Sequence, residues 1–311
     1  MNWPAKPVTV QVPATSANLG PGFDSLGLAL SLHDTVRAQI RPAGVEVHVS
    51  GAGAESVGRG ERHLVIRAMR SAFAAMDGQP PGISISCRNE VPQGFGLGSS
   101  AAAIVAGLMA ANALAAGRDT AAGPSAALSD SALLRLACEL EGHPDNVAAC
   151  LAGGLTIAWL TAAGVRVARL EPLPGLAPVL CLPAEPLATV TARKALPAQV
   201  PHADAAANSA RTALLVAALT SRPDLLLAGT EDFLHQPYRA SAMPATADLI
   251  ARLRAAGIAA VVSGAGPAVL ALTMPAAQPA GEVAQIAEAA GPAWQVLPLT
   301  VDAEGARVLP G

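Results

Sequence analysis

The sequence predicts a protein of mixed strands and helices, folded as two domains or as one large domain. Its length of 311 residues exceeds that of most single domains. Hydrophobic residues make up 52% and charged residues 14%, so a sizeable core is available and disorder is not expected. Alternating apolar residues at 8–12 are typical of a strand, whereas the apolar spacing at 64–76 is typical of a helix.

The composition argues against several classes of function. A net charge of −3 gives no reason to expect nucleic acid or an acidic membrane surface as a partner. The four cysteines lack C-x-x-C spacing, which argues against a zinc site or a redox pair. The N-terminal residues lack the apolar segment of a signal peptide, so we expect a cytoplasmic protein with reduced thiols. An apolar run at 101–117 approaches the length of a membrane span, but its Ala and Gly content favours a buried helix.

The first half of the chain is predicted to be rich in strands. The predicted strands are 8–12 and 82–91, together with a hairpin formed by 35–40 and 45–50. The predicted helices are 64–76 and 131–141, the second capped by Ser129 or Asp130. A Pro-rich stretch at 172–186 marks a change in composition. Beyond residue 150, strands are predicted at 155–160, 165–170, 258–263, 268–273 and 294–301, and helices at 208–219, 224–234 and 282–290.

A glycine-rich loop followed by an apolar helix is the most informative stretch of the sequence. Residues 91–112 read V-P-Q-G-F-G-L-G-S-S-A-A-A-I-V-A-G-L-M-A-A-N. Glycines let a backbone approach a ligand closely, and the first turn of the following helix offers free N–H groups. Such a loop binds phosphate in many proteins, although an ordinary turn before a buried helix also fits. It is not a Walker A loop, because no lysine follows it, and a serine replaces the third glycine of a dinucleotide-binding fingerprint.

Two other segments gather polar residues between apolar ones. Residues 13–30 include Asn18 and Asp24. Residues 139–149 include Glu139, Glu141, His143, Asp145 and Asn146. Both segments fit solvated surface loops, but both also fit loops that line a pocket. Carboxylates in the second segment suit Mg²⁺, which prefers hard oxygen ligands, and arginines of the second half suit a carboxylate.

Three motifs, in order, resemble those of the GHMP kinase superfamily. They read P-A-T-S-A-N-L-G-P-G-F-D from Pro13, P-Q-G-F-G-L-G-S-S-A-A from Pro92 and S-G-A-G-P from Ser263. Within the superfamily, E-G-H-P-D-N, T-V-T-A-R-K-A-L-P and H-Q-P-Y-R resemble the homoserine kinases. The resemblance covers nearly the whole chain and implies a two-domain α+β fold. An ATP-binding domain with a left-handed βαβ unit is expected at 1–160 and a ferredoxin-like domain at 161–311, with the last strand a candidate to return to the first domain.

The same resemblance implies where the ligands bind. The ATP phosphates are expected at Pro92, Gly94, Gly96, Leu97, Gly98, Ser99 and Ser100, and Mg²⁺ at Ser100 and Glu139. L-Homoserine is expected to contact Asn18, Asp24, His143, Asn146, Thr189, Arg193, Arg239 and Gly264. The expected catalytic residues are Asn146, Asp145 and Arg193, with Asp145 a candidate general base.

The implied reaction is phosphorylation of the L-homoserine side-chain hydroxyl by ATP, a step of threonine biosynthesis. A cytoplasmic homodimer without nucleic-acid or membrane partners is expected. Two alternatives stay open, namely another small-molecule kinase of this fold, such as a mevalonate kinase, and a catalytically silent ligand sensor. Asp24 favours an amino acid over mevalonate, which has no ammonium group, and the intact phosphate loop argues against a sensor.

Overall fold

The computed structural model describes residues 3, 6–116, 119–120, 123–124, 127–187, 189–274 and 279–310. These residues form two large β-sheets with helices packed against them. The strands are β1 (Val8–Ala17), β2 (Leu26–Arg41), β3 (Gly44–Gly51), β4 (Gly82–Asn89), β5 (Asp119–Thr120), β6 (Gly123–Pro124), β7 (Leu155–Thr161), β8 (Gly164–Leu170), β9 (Ala177–Pro183), β10 (Ala259–Val262), β11 (Val269–Thr273), β12 (Trp294–Pro298) and β13 (Arg307–Leu309). The helices are α1 (Leu64–Ala75), α2 (Ser99–Ala116), α3 (Asp130–Glu141), α4 (Asp145–Ala152), α5 (Thr189–Lys194), α6 (His202–Thr220), α7 (Leu226–Gly229), α8 (Gln236–Arg239), α9 (Pro244–Ala255) and α10 (Pro279–Ala290).

The first sheet is built around the long strand β2. Its strand order is β13-β1-β2-β4-β3, and the hairpin β7-β8 joins the start of β2. A register shift between Pro13 and Ala14 bends β1, and bulges of this kind redirect the residues that follow. Ser129 caps α3 through a hydrogen bond from the Ala132 N–H, as one of the two predicted caps would. Helices α1 and α3 confirm the predicted helices at 64–76 and 131–141.

The predicted hairpin of 35–40 and 45–50 is wrong. Strand β3 pairs in parallel with β4, and β4 lies between β3 and β2. The reason is burial: β4 buries Ile83 and Ile85 beside β2, whereas the side chains of β3 alternate between half-buried and exposed. The more polar strand therefore takes the edge, and α1 provides the crossover that a parallel pair requires.

Helices α1, α2, α3 and α4 pack together against the first sheet. Helix α2 has the length and the composition of a membrane span, but most of it is buried inside the protein. Its small side chains allow close packing, and a Cβ on Gly107 would lie only 2.5 Å from the Val65 carbonyl oxygen of α1. The prediction of a buried helix is confirmed.

The second sheet has the antiparallel order β10-β11-β9-β12, which is the strand order of a ferredoxin-like fold. The predicted helix at 224–234 is confirmed only up to Gly229, where α7 ends, and α8 begins only at Gln236. Between them, the Asp232 carboxylate accepts hydrogen bonds from the backbone N–H groups of Leu234, His235 and Gln236. A side chain that takes up backbone donors in this way competes with a continuous helix.

The two sheets share a hydrophobic core. Leu26 and Leu28 of β2 belong to the same buried cluster as Leu180 of β9 and Leu270 of β11. Strand β8 hydrogen-bonds into the first sheet, and so does β13, which pairs with β1. We propose that the first domain extends through residue 170 and includes β13, with the second domain between them.

Candidate active site

A cleft lies where the two domains meet. It brings together the β1–β2 loop, the glycine-rich loop, the start of α4, α5, α8 and the turn after β10. Most of the predicted site residues line it, namely Asn18, Asp24, Gly94, Gly96, Leu97, Gly98, Ser99, Ser100, His143, Asp145, Asn146, Arg193, Arg239 and Gly264. Glu141, Ala17 and Ala265 also line it, whereas Pro92 and Glu139 do not. The side chain of Thr189 lies outside the described residues.

The carbonyl groups of the glycine-rich loop are turned towards the protein body. Each accepts a hydrogen bond from another segment of the chain. Leu187 N donates to Gly94 O, and Ala268 N donates to Phe95 O. Ser263 Oγ donates to Gly96 O, and Thr15 N donates to Leu97 O. Within the described part of the chain, none of the N–H groups of residues 96–99 donates to another residue. The loop therefore leaves a row of backbone donors for an anion at the start of α2.

Two glycines of this loop cannot be replaced without a clash. Gly96 and Gly98 have φ angles of 77° and 65°, in the left-handed region. A Cβ on Gly96 would lie 2.0 Å from the Ser263 carbonyl oxygen, and one on Gly98 would lie 2.0 Å from Thr15 Oγ1. Glycine is therefore required both for the backbone conformation and for the close approach to neighbouring chain segments.

The entrance to the loop is fixed by Asp34 of β2, which was not predicted as important. Its Oδ1 accepts the N–H groups of Glu90 and Val91, at 2.7 Å and 2.9 Å. Burial raises the pKa of Asp34, although these two amides oppose the shift. The carboxylate thus anchors the end of β4 just before the glycine-rich loop.

The acidic residue beside Ser100 is Glu141 rather than Glu139, the expected Mg²⁺ ligand. Ser100 Oγ donates a 2.6 Å hydrogen bond to Glu141 Oε1. Glu139 instead pairs with Arg135 one turn earlier on α3, and its side chain is 57% exposed. Residues two apart on a helix point in different directions, so only one of the two carboxylates can face the cleft.

Asn146 is held at the cleft by a residue that the sequence did not single out as functional. Thr15 Oγ1 donates a 2.8 Å hydrogen bond to Asn146 Oδ1. Asn146 Nδ2 lies 3.4 Å from Asp145 Oδ1, which also accepts the Asn146 backbone N–H at 2.7 Å. A carboxamide oxygen would be repelled by this carboxylate, so the amide nitrogen of Asn146 faces Asp145.

Asp145 and His143 form a second polar pair in the cleft. The Asp145 side chain is almost fully buried, and its Oδ1 lies 3.6 Å from His143 Nδ1. This distance is just beyond a hydrogen bond, but the neighbouring carboxylate raises the pKa of His143. The Asp145 carboxylate therefore stabilises the protonated form of His143.

Opposite charges face each other at the other end of the cleft. Arg193 Nη2 lies 2.9 Å from Asp24 Oδ1, and both side chains are 37% exposed. Asn18 fixes Asp24, because Asn18 Oδ1 accepts the Asp24 N–H while Asn18 Nδ2 donates to Gly264 O. The carboxamide of Asn18 thereby ties the β1–β2 loop to the turn after β10.

Arg239 is buried, with only 1% of its surface exposed. Its described partners are neutral: the carbonyl oxygens of Ala192 and Gly264 and the imidazole of His235. No carboxylate of the described residues lies within ion-pair distance of it. Burial and the nearby Arg193 guanidinium lower the pKa of Arg239, so an added anion would be stabilised here.

A second cavity adjoins the start of α2. It shares Ser99 and Ser100 with the cleft. Its walls are mostly apolar and include Val57, Leu64 and Val65. The two cavities therefore meet at the glycine-rich loop, where a phosphate chain could lie between them.

Comparison with known proteins decides the family. The family model for the GHMP kinases N terminal domain matches residues 63–154, and the one for GHMP kinases C terminal matches 214–294. A homoserine kinase of Streptomyces avermitilis is 53% identical over 306 residues, covering 98% of this chain and 97% of the relative. The chain belongs to the homoserine kinases of the GHMP kinase family. A homoserine kinase of Streptomyces coelicolor is 51% identical over 98% of this chain and 96% of its own.

Solved structures agree with this placement. The crystal structure of homoserine kinase from Cytophaga hutchinsonii has a TM-score of 0.84 and 27% identity, covering 97% of each chain. The predicted family and the two-domain α+β fold are thus confirmed. The protein is a kinase, and its family implies ATP as the co-substrate and a small molecule as the acceptor.

Proposed function

We propose that this kinase transfers the γ-phosphoryl group of ATP to the side-chain hydroxyl of L-homoserine, giving O-phospho-L-homoserine for threonine biosynthesis. One observation carries the choice of acceptor. The cleft sets the Asp24 carboxylate beside Arg193 and adds the guanidinium of Arg239, which has no carboxylate partner among the described residues. An α-amino acid carries an ammonium and a carboxylate on one carbon, so it matches this arrangement of charges, whereas mevalonate lacks the ammonium.

The headgroup contacts follow from the charges. Asp24 binds the ammonium, and Arg193 and Arg239 bind the carboxylate as a fork. Asn18 and Gly264 support these side chains through their mutual hydrogen bond. The substrate carboxylate also relieves the repulsion between the two guanidinium groups, and it gives Arg239 the ion-pair partner that it lacks among the described residues.

The nucleotide occupies the two cavities that meet at Ser99 and Ser100. Its phosphates lie on the free N–H groups of residues 96–99, and its adenosine lies between the apolar walls of the second cavity. Preorganised backbone donors of this kind stabilise the charge that develops on a transferred phosphoryl group. Family membership supports ATP as the donor.

The residues beside the loop fit Mg²⁺. Ser100 and Glu141 present a hydroxyl and a carboxylate within 2.6 Å of each other at the start of α2. Mg²⁺ is usually held by one or two carboxylates together with substrate phosphates and waters, so a larger protein ligand set is not needed. When bound, the ion would neutralise charge on the phosphate oxygens.

The reacting hydroxyl is placed near Asn146. Its amide lies beside the glycine-rich loop, since a Cβ on Gly98 would come within 3.0 Å of Asn146 Oδ1. Asn146 Nδ2 then donates to the hydroxyl oxygen, while Thr15 and Asp145 hold Asn146 in place. Transfer through a loose transition state depends mainly on alignment and charge, and it does not require early removal of the hydroxyl proton.

We also propose, from the resemblance to homoserine kinases, that the protein is a homodimer in the cytoplasm. Release of ADP from ATP and Mg²⁺ tests the proposed reaction, with L-homoserine, mevalonate and L-serine offered separately. Turnover with L-homoserine alone is the expected result. Turnover with mevalonate instead would contradict the acceptor assignment while leaving the kinase fold intact.

Two analogues of homoserine sharpen this test. The first is 4-hydroxybutanoate, which lacks the ammonium, and the second is 3-aminopropan-1-ol, which lacks the carboxylate. Asp24→Asn should impair the reaction of homoserine about tenfold or more in kcat/KM, but leave that of 4-hydroxybutanoate nearly unchanged. Equal losses with both acceptors would show that Asp24 has a structural role only.

A further inference from the structure

The most buried polar network of the second domain lies behind Arg239. His235 has no exposed surface, and its ring stacks on Phe23 with the ring centroids 5.3 Å apart. His235 Nδ1 lies 3.1 Å from Arg239 Nη1, and His235 Nε2 lies 2.8 Å from the Gly20 carbonyl oxygen. The imidazole therefore connects the β1–β2 loop to Arg239 of α8.

The two neighbours fix the tautomer of this histidine. A guanidinium can only donate, so His235 Nδ1 must be the bare acceptor, and a carbonyl can only accept, so His235 Nε2 carries the proton. The ring is then neutral. Burial lowers the pKa of His235, which agrees with this assignment, although Asp232 and the Gly20 carbonyl oppose the shift.

We infer that His235 is a positioning residue that orients the Arg239 guanidinium towards the substrate without neutralising its charge. This inference rests on the proposed function, in which Arg239 binds the substrate carboxylate. A carboxylate in place of the imidazole would also orient the guanidinium, but it would satisfy the positive charge internally and weaken the attraction for substrate. The neutral imidazole of His235, together with the carbonyl oxygens of Ala192 and Gly264, fixes the direction of the guanidinium. The positive charge of the guanidinium stays available to the substrate carboxylate.

A matched pair of substitutions separates the two hydrogen bonds of His235. In His235→Asn the side-chain oxygen takes the place of Nδ1, so the bond from Arg239 is kept and the bond to Gly20 is lost. In His235→Gln the amide nitrogen reaches the place of Nε2, so the bond to Gly20 is kept and the bond from Arg239 is lost. We expect His235→Gln to raise the KM for L-homoserine about 10-fold or more and to leave the KM for ATP unchanged. His235→Asn should change the KM for L-homoserine less than about threefold.

The acceptor 3-aminopropan-1-ol is the control, because it has no carboxylate for Arg239 to bind. Its kcat/KM should be the same in His235→Gln as in the unsubstituted protein. A larger KM effect in His235→Asn than in His235→Gln, or equal effects on both acceptors, would overturn the inference. If His235→Gln does not fold, as judged by thermal unfolding, a raised homoserine KM in a folded His235→Asn protein still overturns it. An unsubstituted protein that does not prefer homoserine to 3-aminopropan-1-ol would instead overturn the proposed function.

Discussion

Thr15 Oγ1 donates a 2.8 Å hydrogen bond to Asn146 Oδ1, although 131 positions separate the two residues in the chain. The bond decides which end of the Asn146 carboxamide faces the cleft, since the oxygen is taken up by Thr15 and the nitrogen remains near Asp145. Thr15 also donates its backbone N–H to Leu97 O in the glycine-rich loop. One residue of β1 therefore ties the phosphate-binding loop to the group that we place on the acceptor hydroxyl.

Replacing Thr15 should reduce turnover through Asn146. Thr15→Val keeps the shape of the side chain but removes the hydroxyl, so the Asn146 amide can rotate. We expect kcat to fall about tenfold with little change in either KM, and Thr15→Ser to restore most of the rate. Steady-state kinetics with ATP and L-homoserine provide the measurement. In an Asn146→Ala protein, Thr15→Val should have almost no further effect, and an additive loss would place the role of Thr15 elsewhere.

Glu141 and Glu139 offer a matched test of the magnesium site. Glu141→Gln should raise the Mg²⁺ concentration for half-maximal rate about tenfold, because it removes the carboxylate next to Ser100. Glu139→Gln should leave it within about twofold, since that side chain is exposed and paired with Arg135. Titration of the initial rate with Mg²⁺ at saturating ATP measures both. The reverse order of effects would restore the sequence-based assignment of Glu139.

The steric requirement at Gly98 can be separated from its backbone conformation. Gly98→Ala places a Cβ 2.0 Å from Thr15 Oγ1, whereas Gly44→Ala, at a similar positive φ of 74°, meets no atom within 4 Å. Both should lower the free energy of unfolding by about 1–2 kcal/mol through backbone strain, and Gly98→Ala should lower it further because of the clash. Only Gly98→Ala should also raise the KM for ATP, by about tenfold or more. Equal kinetics in the two proteins would mean that the close packing of the loop is unimportant for nucleotide binding.

Asp145 was a candidate general base on sequence grounds, and Asp145→Asn tests this. The carboxylate already accepts from the Asn146 backbone and faces His143, so we expect it to position these residues. The prediction is a loss of less than about tenfold in kcat, because the amide keeps the backbone hydrogen bond. A loss of about 10²–10⁴-fold would instead identify Asp145 as the base.

Asp302 should make stability depend on pH. Burial alone would raise its pKa, but hydrogen bonds from His33 and from the N–H groups of Gly305 and Glu304 hold the pKa at about 2. Since this is below the value of 3.8 expected in the unfolded chain, the stabilisation is complete above that value and is lost as the pH falls towards 2.

Urea unfolding of Asp302→Asn should therefore give a free energy about 1–2 kcal/mol below that of the unsubstituted protein at pH 6. The difference should shrink to about half at pH 3. Asp224→Asn is the control, because that exposed carboxylate forms a surface ion pair with Arg222, and no measurable change is expected. A difference for Asp302→Asn that does not vary with pH would exclude the titration as its cause.

The sequence predicted the parts of the site that depend on local chemistry. The glycine-rich loop was found because positive φ angles require glycine, and Asp24, Arg193 and Arg239 were found through motifs and their charge. The two-domain fold was predicted through the same motifs. Helix α1 and helix α3 follow from apolar spacing, which is set by neighbours along the chain.

The remaining features depend on contacts between distant residues. Thr15 looks like any strand residue until α4 is placed beside it, and the parallel pairing of β3 cannot be read from its position next to β2 in sequence. The exposed position of Glu139 was predictable, because its spacing of four from Arg135 on a helix predicts a surface ion pair. Strand β9 and helix α9 were missed altogether, the first because it lies within a Pro-rich stretch.

The pairing of β13 with β1 has a consequence for how the protein is made. Thr9 lies opposite Leu309, so one of the first strands to be synthesised is completed by one of the last. During translation the nascent chain holds β1 with an open edge, while the whole second domain emerges between the two partners. Strand β1 therefore keeps an open edge until β13 has left the ribosome, and a chaperone that covers this edge would protect it until then.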